Sequence, residues 1–140
     1  MIGESGAIER QIFIDASPET VFGFLVDPRL MSQWIGIFHA LEPHPGGCFH
    51  VEVSPGHIAR GTYTEVTPPR RVAFTWGWES SDPNLALTPP GGSLVEIELE
   101  PKDGGTLLRL RHSGLPEVTM PIHRERWSLY LDRLQAVARG

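Results

Sequence analysis

Two histidines of this sequence stand at positions that are otherwise apolar. His112 shares the inward parity of two leucines in a predicted strand over 106–113, and His123 falls on the apolar stripe of a predicted helix over 119–138. A neutral histidine donates one hydrogen bond and accepts another, and its charge changes near physiological pH. The two side chains could therefore anchor a carbonyl or a phenol, or act in acid–base catalysis. Structural histidines with satisfied hydrogen bonds are the alternative.

Aromatic residues are the second feature that could form a site. In a predicted strand over 71–78, Phe74, Trp76 and Trp78 share one face. Cavities that bind small molecules are mostly apolar with a few polar anchors, and an ordinary packed core is the alternative. We predict a cavity, because tryptophans at a strand end beside a long loop suit its mouth. The predicted ligand-binding residues are Trp34, Phe49, Tyr63, Phe74, Trp76, Trp78, Ile97, Leu110, His112, His123, Trp127 and Leu131.

Other residues that could do chemistry lack a supporting pattern. Cys48 follows a Gly-Gly turn and has no obvious neighbouring base that would lower its pKa. Glu65 and Glu79 could be pocket carboxylates or exposed surface groups. The motifs of serine hydrolases, zinc proteases, phosphate loops and dinucleotide-binding folds are absent, so we predict no catalytic residue, no metal and no cofactor. The other histidines have a spacing that fits no compact zinc pattern: His39, His44, His50 and His57.

The elements that would position these groups follow a simple order. Ala7 to Ile14 predicts a strand, and the starts at Ser17-Pro18 and Asp27-Pro28 predict two short helices, the second ending at about Trp34. After that point the apolar period is two, and the turns are rich in glycine and proline. The further predicted strands cover 38–41, 49–53, 57–66, 71–78, 94–100 and 106–113, with a long loop over 80–92.

A long amphipathic helix over 119–138 completes the chain. Successive strands joined by hairpin turns indicate an antiparallel sheet, so the predicted fold class is α+β. A sheet of about six to seven strands must cover its apolar face, and this helix is the only element long enough to do so. We therefore predict a curved sheet wrapped around the helix, with an apolar cavity between them. The apolar stripe of the helix consists of His123, Trp127, Tyr130, Leu131, Leu134 and Val137 or Ala138.

The composition is that of an ordinary globular protein. The chain has 140 residues, of which 40% are hydrophobic and 21% charged, and this length suits one domain over 1–140. A net charge of −5 without a run of basic residues argues against a nucleic-acid partner. No stretch approaches the roughly 18 apolar residues that indicate a membrane span. The single cysteine excludes an internal disulfide and favours a cytoplasmic location.

Several short segments follow one another in a recognisable order. They are Ser17-Pro18-Glu19-Thr20-Val21-Phe22, Asp27-Pro28 with Trp34, Pro45-Gly46-Gly47 with Phe49, Gly61-Thr62-Tyr63-Thr64-Glu65-Val66 with Pro68-Pro69, Arg71-Val72-Ala73-Phe74-Thr75-Trp76, Gly104-Gly105-Thr106, His112-Ser113-Gly114, and His123-Arg124 with Trp127. Together they resemble the activator-of-Hsp90-ATPase homologue 1-like family, within the START and Bet v 1-like superfamily. The resemblance covers nearly the whole chain and implies a helix-grip fold.

That fold hosts carriers, sensors, cyclases and co-chaperone modules, so the resemblance leaves the function open. We predict a domain that binds a hydrophobic small molecule. The alternatives are a co-chaperone-like module that regulates an Hsp90-type ATPase, and a cyclase- or hydrolase-type enzyme that uses His112, His123 or Glu65 as acid–base. An exposed edge strand could also support a homodimer. Relatives often have glycine before the helix tryptophan, where Arg126 would either narrow the cavity or point to solvent.

Overall fold

A computed structural model describes residues 7–139, apart from the side chain of Phe38. The predicted domain of 1–140 thus includes residues 1–6 and 140, which lie outside the described part. The strands are β1 Ile8–Ile14, β2 Phe38–Leu41, β3 Cys48–Ser54, β4 His57–Thr67, β5 Arg71–Trp76, β6 Trp78–Glu79, β7 Ser93–Lys102 and β8 Gly105–Ser113. The helices are α1 Pro18–Val26, α2 Pro28–Met31 and α3 Met120–Ala138. None of these helices is long and apolar enough to cross a membrane.

The strands form one antiparallel sheet in the order β1-β8-β7-β5-β4-β3-β2, with β6 paired to β4. The predicted α+β class is confirmed, with eight strands in the described chain rather than six or seven. The additional strand arises because the run predicted over 71–78 is interrupted at Gly77. β5 ends at Trp76 and pairs with β7, whereas the two residues after Gly77 form β6 and pair with β4.

Gly77 allows the chain to cross closely over the loop that follows β6. An added Cβ at this position would lie 1.7 Å from the carbonyl oxygen of Pro89, which is backbone and cannot rotate away. We expect Gly77→Ala to lower the free energy of unfolding, measured by urea denaturation, by about 2 kcal/mol. Gly56→Ala is the control, because Gly56 has φ of +82° but open space around its Cβ position. Its cost is the left-handed backbone alone, about 1 kcal/mol, and a larger loss in this control would contradict the prediction.

The outer face of the sheet is charged. Strand β7 shows the predicted alternation, in which Glu96, Glu98 and Glu100 lie on the face opposite the buried aliphatic side chains. Arg71 of β5 pairs with Glu96 at 2.6 Å and with Glu98 at 2.8 Å, and Arg109 of β8 pairs with Glu100 at 2.9 Å. Glutamates of β7 thus pair with arginines from both neighbouring strands, β5 and β8. Exposed pairs of this kind each stabilise the fold by about 0–1 kcal/mol.

The inner face of the sheet packs against α3. The stripe predicted for this helix is buried, and its last position is Ala138, since Val137 is 37% exposed. Thr119 precedes the helix without capping it through its side chain, because its hydroxyl donates to the carbonyl of Pro116 at 3.0 Å. The largest fully buried side chains include Trp76, Trp127, Tyr63, Phe49, Ile97 and Leu108. This core is therefore rich in aromatic side chains, which give it both bulk and hydrogen-bonding groups.

Helices α1 and α2 cover one side of the core. Side-chain oxygens of Ser17 and Asp27 cap their first turns, as the sequence predicts. α2 ends at Met31 rather than at Trp34. The chain leaves the helix in a tighter turn, in which the amide of Trp34 donates to the carbonyl of Met31 at 3.1 Å. The indole of Trp34 then donates to the carbonyl of Phe24 at 2.9 Å, near the C-terminal end of α1.

The segment predicted as a loop over 80–92 is folded onto the protein. It contains a 3₁₀ turn at Leu85–Leu87, in which Leu85 is 1% exposed. Thr88 is also buried, and its carbonyl accepts a hydrogen bond from the amide of Trp78 at 2.8 Å. The loop therefore holds β6 in place, beside the N-terminal end of α3.

Candidate functional site

His112 links three elements of the core. The indole N–H of Trp127 on α3 donates to His112 Nδ1 at 2.9 Å. An indole nitrogen only donates, so Nδ1 carries no proton and the neutral ring has its proton on Nε2. That nitrogen lies 2.8 Å from Ser93 Oγ on β7, and the Ser93 hydroxyl donates onward to the carbonyl of Trp76 at 2.7 Å. Each member of this chain of hydrogen bonds has a donor and an acceptor in compatible positions.

His123 makes a second connection of the same kind. The indole N–H of Trp78 donates to His123 Nε2 at 3.0 Å. By the same reasoning, His123 carries its proton on Nδ1, which lies 2.9 Å from the carbonyl of Thr119. This connection ties β6 to the first turn of α3. The two imidazole rings lie nearly perpendicular, with centroids 5.6 Å apart.

Both histidines are held in the neutral form. Burial and, to a smaller extent, the nearby His123 together lower the pKa of His112 to about 3. Burial also lowers the pKa of His123, against the opposing effect of its bond to Thr119, and the charge of Arg126 adds to the lowering. Since both nitrogens of each ring already have partners, these histidines act as structural connectors between sheet and helix. The two histidines proposed as acid–base groups for the enzyme alternative do lie close together. Both are neutral and fully hydrogen-bonded, a form that is unsuited to proton transfer at neutral pH.

Trp76 lies at the centre of the aromatic cluster. Its ring centroid is 5.4 Å from that of Trp78, 5.5 Å from that of Trp127 and 5.7 Å from that of His112. Edge-to-face and tilted contacts at these distances are favourable for aromatic rings. All residues predicted to bind a ligand lie in this core: Trp34, Phe49, Tyr63, Phe74, Trp76, Trp78, Ile97, Leu110, His112, His123, Trp127 and Leu131, each at most 3% exposed.

The space between these residues is small. A cavity of about 10 Å³ lies where α1, α2 and α3 meet the sheet, and a single water molecule needs about 10–15 Å³. The predicted ligand cavity is therefore nearly closed in this conformation. The lining residues are Leu25, Met31, Trp34, Ile35, Phe49, Phe74, Trp76, Ile97 and Trp127.

Six of the predicted residues line this cavity, and the others surround it. Tyr63, Trp78, Leu110, His112, His123 and Leu131 are not part of the lining. Three lining residues were not predicted from the sequence: Leu25, Met31 and Ile35. The apolar face of α1 is a signal that could have identified Leu25, whereas the sequence around α2 carries no comparable indication for the other two.

One tryptophan of the cavity lining has an indole N–H without a hydrogen-bond partner among the described residues. Trp76 Nε1 is buried and makes no hydrogen bond to any part of the chain that the structure describes. Thr88 Oγ1 is also buried without a hydrogen-bond partner among the described residues, but Thr88 is not part of the cavity lining. Buried polar groups nearly always have partners, and each exception calls for a physical explanation.

Two aromatic donors fix α1 over the cavity. Trp34 bonds to the carbonyl of Phe24, and the hydroxyl of Tyr63 donates to the carbonyl of Leu25 at 3.3 Å. These carbonyls belong to the last turn of α1, where the helix itself offers no donor. Burial raises the pKa of Tyr63, so its hydroxyl remains a donor at neutral pH.

The remaining candidates lie away from the cavity. Glu65 accepts hydrogen bonds from Arg71 and Thr67 on the outer face, so it cannot act together with the two histidines. Glu79 pairs with Arg60 at 3.1 Å. Among residues 7–139, no three histidine, cysteine, aspartate or glutamate side chains are grouped to hold a metal ion.

The environment of Cys48 does not favour a reactive thiol. Burial raises the pKa of the Cys48 thiol, and the nearby Glu42 raises it further, which opposes formation of a thiolate.

Arg126 is half-buried along α3, where a guanidinium N–H donates to the hydroxyl of Tyr130 at 3.4 Å. Arg126 does not line the cavity, so it does not narrow it directly.

A larger concavity of about 550 Å³ lies on the outer face of the sheet. Its charged groups largely neutralise one another, for example through the pairs that Arg71 forms with Glu96 and Glu98 and that Arg111 forms with Glu9 at 3.2 Å. This groove therefore presents a mixture of paired charges rather than a field of one sign. The lining residues are Glu9, Arg10, Gln11, Arg71, Glu96, Glu98, Arg109, Leu110 and Arg111.

Comparison with known proteins shows the family of this chain. The model of the family described as activator of Hsp90 ATPase homolog 1-like protein matches residues 15–139. The solution structure of an AHSA1-like protein from Rhizobium etli is 43% identical, with 96% of this chain and 82% of that chain covered and a TM-score of 0.74. No curated protein matches the sequence.

Two more distant structures share the fold. A protein from Mesorhizobium loti is 22% identical, with 94% of this chain and 95% of that chain covered and a TM-score of 0.80. The Aha1 dimer from Colwellia psychrerythraea is 21% identical, with 95% and 96% covered and a TM-score of 0.78. The described architecture is accordingly the helix-grip fold. The chain belongs to the activator of Hsp90 ATPase homologue 1-like family.

Proposed function

We propose that this protein binds a small apolar molecule between the sheet, helices α1 and α2, and helix α3. The observation that supports this function is an apolar cavity lined by Trp76, whose indole N–H is buried without a partner among the described residues. A buried donor without an acceptor costs about 1–3 kcal/mol. A bound molecule that brings an acceptor would remove this cost.

The contrast with the other tryptophans strengthens the proposal. The chain has four tryptophans, and the indoles of Trp34, Trp78 and Trp127 each have an acceptor from the protein, at 2.9, 3.0 and 2.9 Å. Two of these acceptors are buried histidines, which are costly groups to place in a core. The fold thus provides specific partners for three indoles, while the indole N–H of Trp76 has none among the described residues. A ligand is the partner that we propose for it.

Binding requires the cavity to expand from its present 10 Å³. Met31 is the natural side chain to move, because methionine is unbranched and adapts to irregular space. It stands at the end of α2, which has only four residues. Displacement of this short helix, while α1 stays fixed by the bond from Tyr63 to Leu25, would open the site.

Ligand binding can be measured with indane as a probe. We expect indane to raise the melting temperature of the protein and to change its tryptophan fluorescence. Met31→Ala should bind indane about tenfold more tightly, because the space no longer has to be opened. Leu108→Ala is the matched control, since Leu108 is fully buried in β8 but does not line the cavity, and it should bind as the unaltered protein does. Absence of any effect of indane or of a broad panel of hydrophobic compounds on both the unaltered protein and Met31→Ala would refute the proposal.

Regulation of an Hsp90-type ATPase is the alternative that the family name supports. The Colwellia relative forms a dimer, so a second copy of this chain is another partner to test. Pull-down with the Hsp90 of the host and size-exclusion chromatography test these partners directly. A stable chaperone complex together with no binding of hydrophobic compounds would replace the ligand-binding proposal.

A further inference from the structure

We infer that Arg126 and Tyr130 on α3 bind a carboxylate group carried by the molecule whose apolar body occupies the cavity. This inference rests on the proposed function and concerns the chemical class of the ligand. The two residues are one helical turn apart, and a guanidinium N–H of Arg126 donates to the hydroxyl of Tyr130 at 3.4 Å. The unused donors of this pair, its charge and its position beside Trp127 lead to this class.

The pair has several hydrogen-bond donors and lacks an acceptor for them. A guanidinium carries five N–H donors and no acceptor, and a tyrosine hydroxyl carries one O–H donor. The bond between Arg126 and Tyr130 uses one N–H and leaves the proton of the hydroxyl free. Neither side chain donates to any other acceptor in the described part of the chain. A bound anion would accept from both side chains at once.

Arg126 also has no counter-charge. Three arginines among residues 7–139 are half-buried: Arg71, Arg111 and Arg126. Arg71 pairs with Glu96 at 2.6 Å, and Arg111 pairs with Glu9 at 3.2 Å. No carboxylate of the described residues pairs with Arg126. The protein thus supplies an anion for two of these three guanidinium groups, and the third is left for an external one.

The guanidinium of Arg126 is held against the protein. Arginine commonly buries its stem and leaves its head group in water. Here the head group bonds to Tyr130, a residue that is 5% exposed. Burial lowers the pKa of the neighbouring His123, and the charge of Arg126 lowers it further. A carboxylate at this position would be partly shielded from water, which strengthens its attraction to the guanidinium.

The ring of Tyr130 connects the pair with the cavity. It packs edge-on against Trp127, with ring centroids 6.0 Å apart and an interplanar angle of 89°. Trp127 lines the cavity, whereas Tyr130 and Arg126 do not. All nine lining side chains are uncharged, so an anion inside the cavity would have no counter-charge there. An apolar body beside Trp127 with its carboxylate outside, at Arg126, avoids that cost.

The surroundings of Arg126 on the helix favour a single negative charge. The residues one turn away include no second cation, since burial keeps the imidazole among them neutral: Ile122, His123, Leu129 and Tyr130. One guanidinium fork matches the two oxygens of a carboxylate. A phosphate carries more charge and more oxygens than this pair can satisfy. The ligand class is therefore an apolar monocarboxylic acid.

Phenylalkanoic acids and their methyl esters test this inference, because each ester keeps the apolar body and removes the charge. The probes are 3-phenylpropionate, 5-phenylpentanoate and 7-phenylheptanoate, which differ in the reach from ring to carboxylate. At pH 7.5, isothermal titration calorimetry should show at least one acid binding about fivefold more tightly than its ester. Without a counter-charge, an apolar cavity would prefer the ester.

Three variants assign this preference to the pair. Arg126→Met keeps an unbranched stem and should lower the acid-to-ester affinity ratio about tenfold. Tyr130→Phe keeps the ring and should lower the ratio about threefold, because one donor is removed. Arg133→Met is the matched control, since Arg133 is an exposed arginine two turns further along α3, and there the ratio should not change.

Nuclear magnetic resonance of the unaltered protein gives a second measurement that does not depend on any variant. The Nε–H signal of Arg126 should move on binding of the preferred acid and stay in place with its ester. Binding of the esters without preference for any acid, an unchanged ratio in Arg126→Met, or an unmoved Arg126 signal would overturn this inference and leave the proposed function standing. Failure of indane and of every acid and ester to bind would overturn the proposed function itself.

Discussion

Replacing His112 by leucine is expected to lower the free energy of unfolding by about 3–4 kcal/mol. Leucine keeps the site apolar but cannot accept the hydrogen bond of Trp127 Nε1, which is 2.9 Å from the imidazole. It also removes the contact to Ser93 Oγ at 2.8 Å. The indole would then be a buried donor without an acceptor, and one such group costs about 1–3 kcal/mol before any change in packing. Urea denaturation followed by far-ultraviolet circular dichroism measures this loss.

Two further variants separate the hydrogen bond from the shape of the side chain. His112→Asn retains an acceptor near the position of Nδ1 and should recover part of the loss. His57→Leu is the matched control, because both His57 and Ser80, to which it bonds at 2.6 Å, are only half-buried. Its cost should stay below about 1 kcal/mol. Equal losses for His57→Leu and His112→Leu would show that the buried connection has no special role.

Strand periodicity is sufficient to predict which way these side chains face. The alternation is regular in β7, and in β8 from Leu108 to His112, so Val95, Ile97 and Leu99 point inward and His112 shares the inward face with Leu108 and Leu110. The helical stripe places His123 and Trp127 on the buried side of α3 for the same reason. The periodicity of a strand or helix decides which face a side chain occupies, and this periodicity can be recognised in a single sequence.

The pairing of histidines with tryptophans could not be predicted in this way. Trp78 and His123 are 45 residues apart, and their contact depends on the position of β6, which exists because the chain is interrupted at Gly77. The bond between Trp127 and His112 depends on the rotation of α3 against β8. Such rotations are set by the packing of many side chains together, and no local pattern in the sequence records them.

The volume of the cavity could not be predicted from the sequence, for a related reason. An apolar lining predicts where a cavity can form, but its volume is a small difference between large packed volumes. Here Leu25, Met31 and Ile35 fill the space beside Trp76, and the depth to which they insert depends on where α2 ends. The helix predicted from the sequence extends to about Trp34, three residues beyond the observed end of α2 at Met31, so the position of Met31 in the wall could not be predicted.

The two buried histidines also predict that stability is lost in mild acid. The pKa of His112 is lowered from 6.5 to about 3 in the folded protein, so the unfolded chain binds the additional proton. Stability therefore falls as the pH drops below about 6.5, with a slope approaching about 1.4 kcal/mol per pH unit, and it continues to fall until about pH 3. Above pH 6.5 this histidine is neutral in both states and has no effect. His123, whose pKa is also lowered, contributes with the same sign.

Urea denaturation at pH 7.5, 6.5, 5.5 and 4.5 tests this dependence. Between pH 6.5 and 4.5 we expect His112 alone to account for a loss of about 2–3 kcal/mol. The range stops at pH 4.5 because Glu65, whose pKa is lowered by its bonds to Arg71 and Thr67, adds a loss of the same sign at lower pH. In His112→Asn the slope should be reduced, leaving the contribution of His123. A flat profile for the unaltered protein, or an unchanged slope in His112→Asn, would mean that the imidazole of His112 is reached by water and protonated without unfolding, since burial is the largest cause of its low pKa.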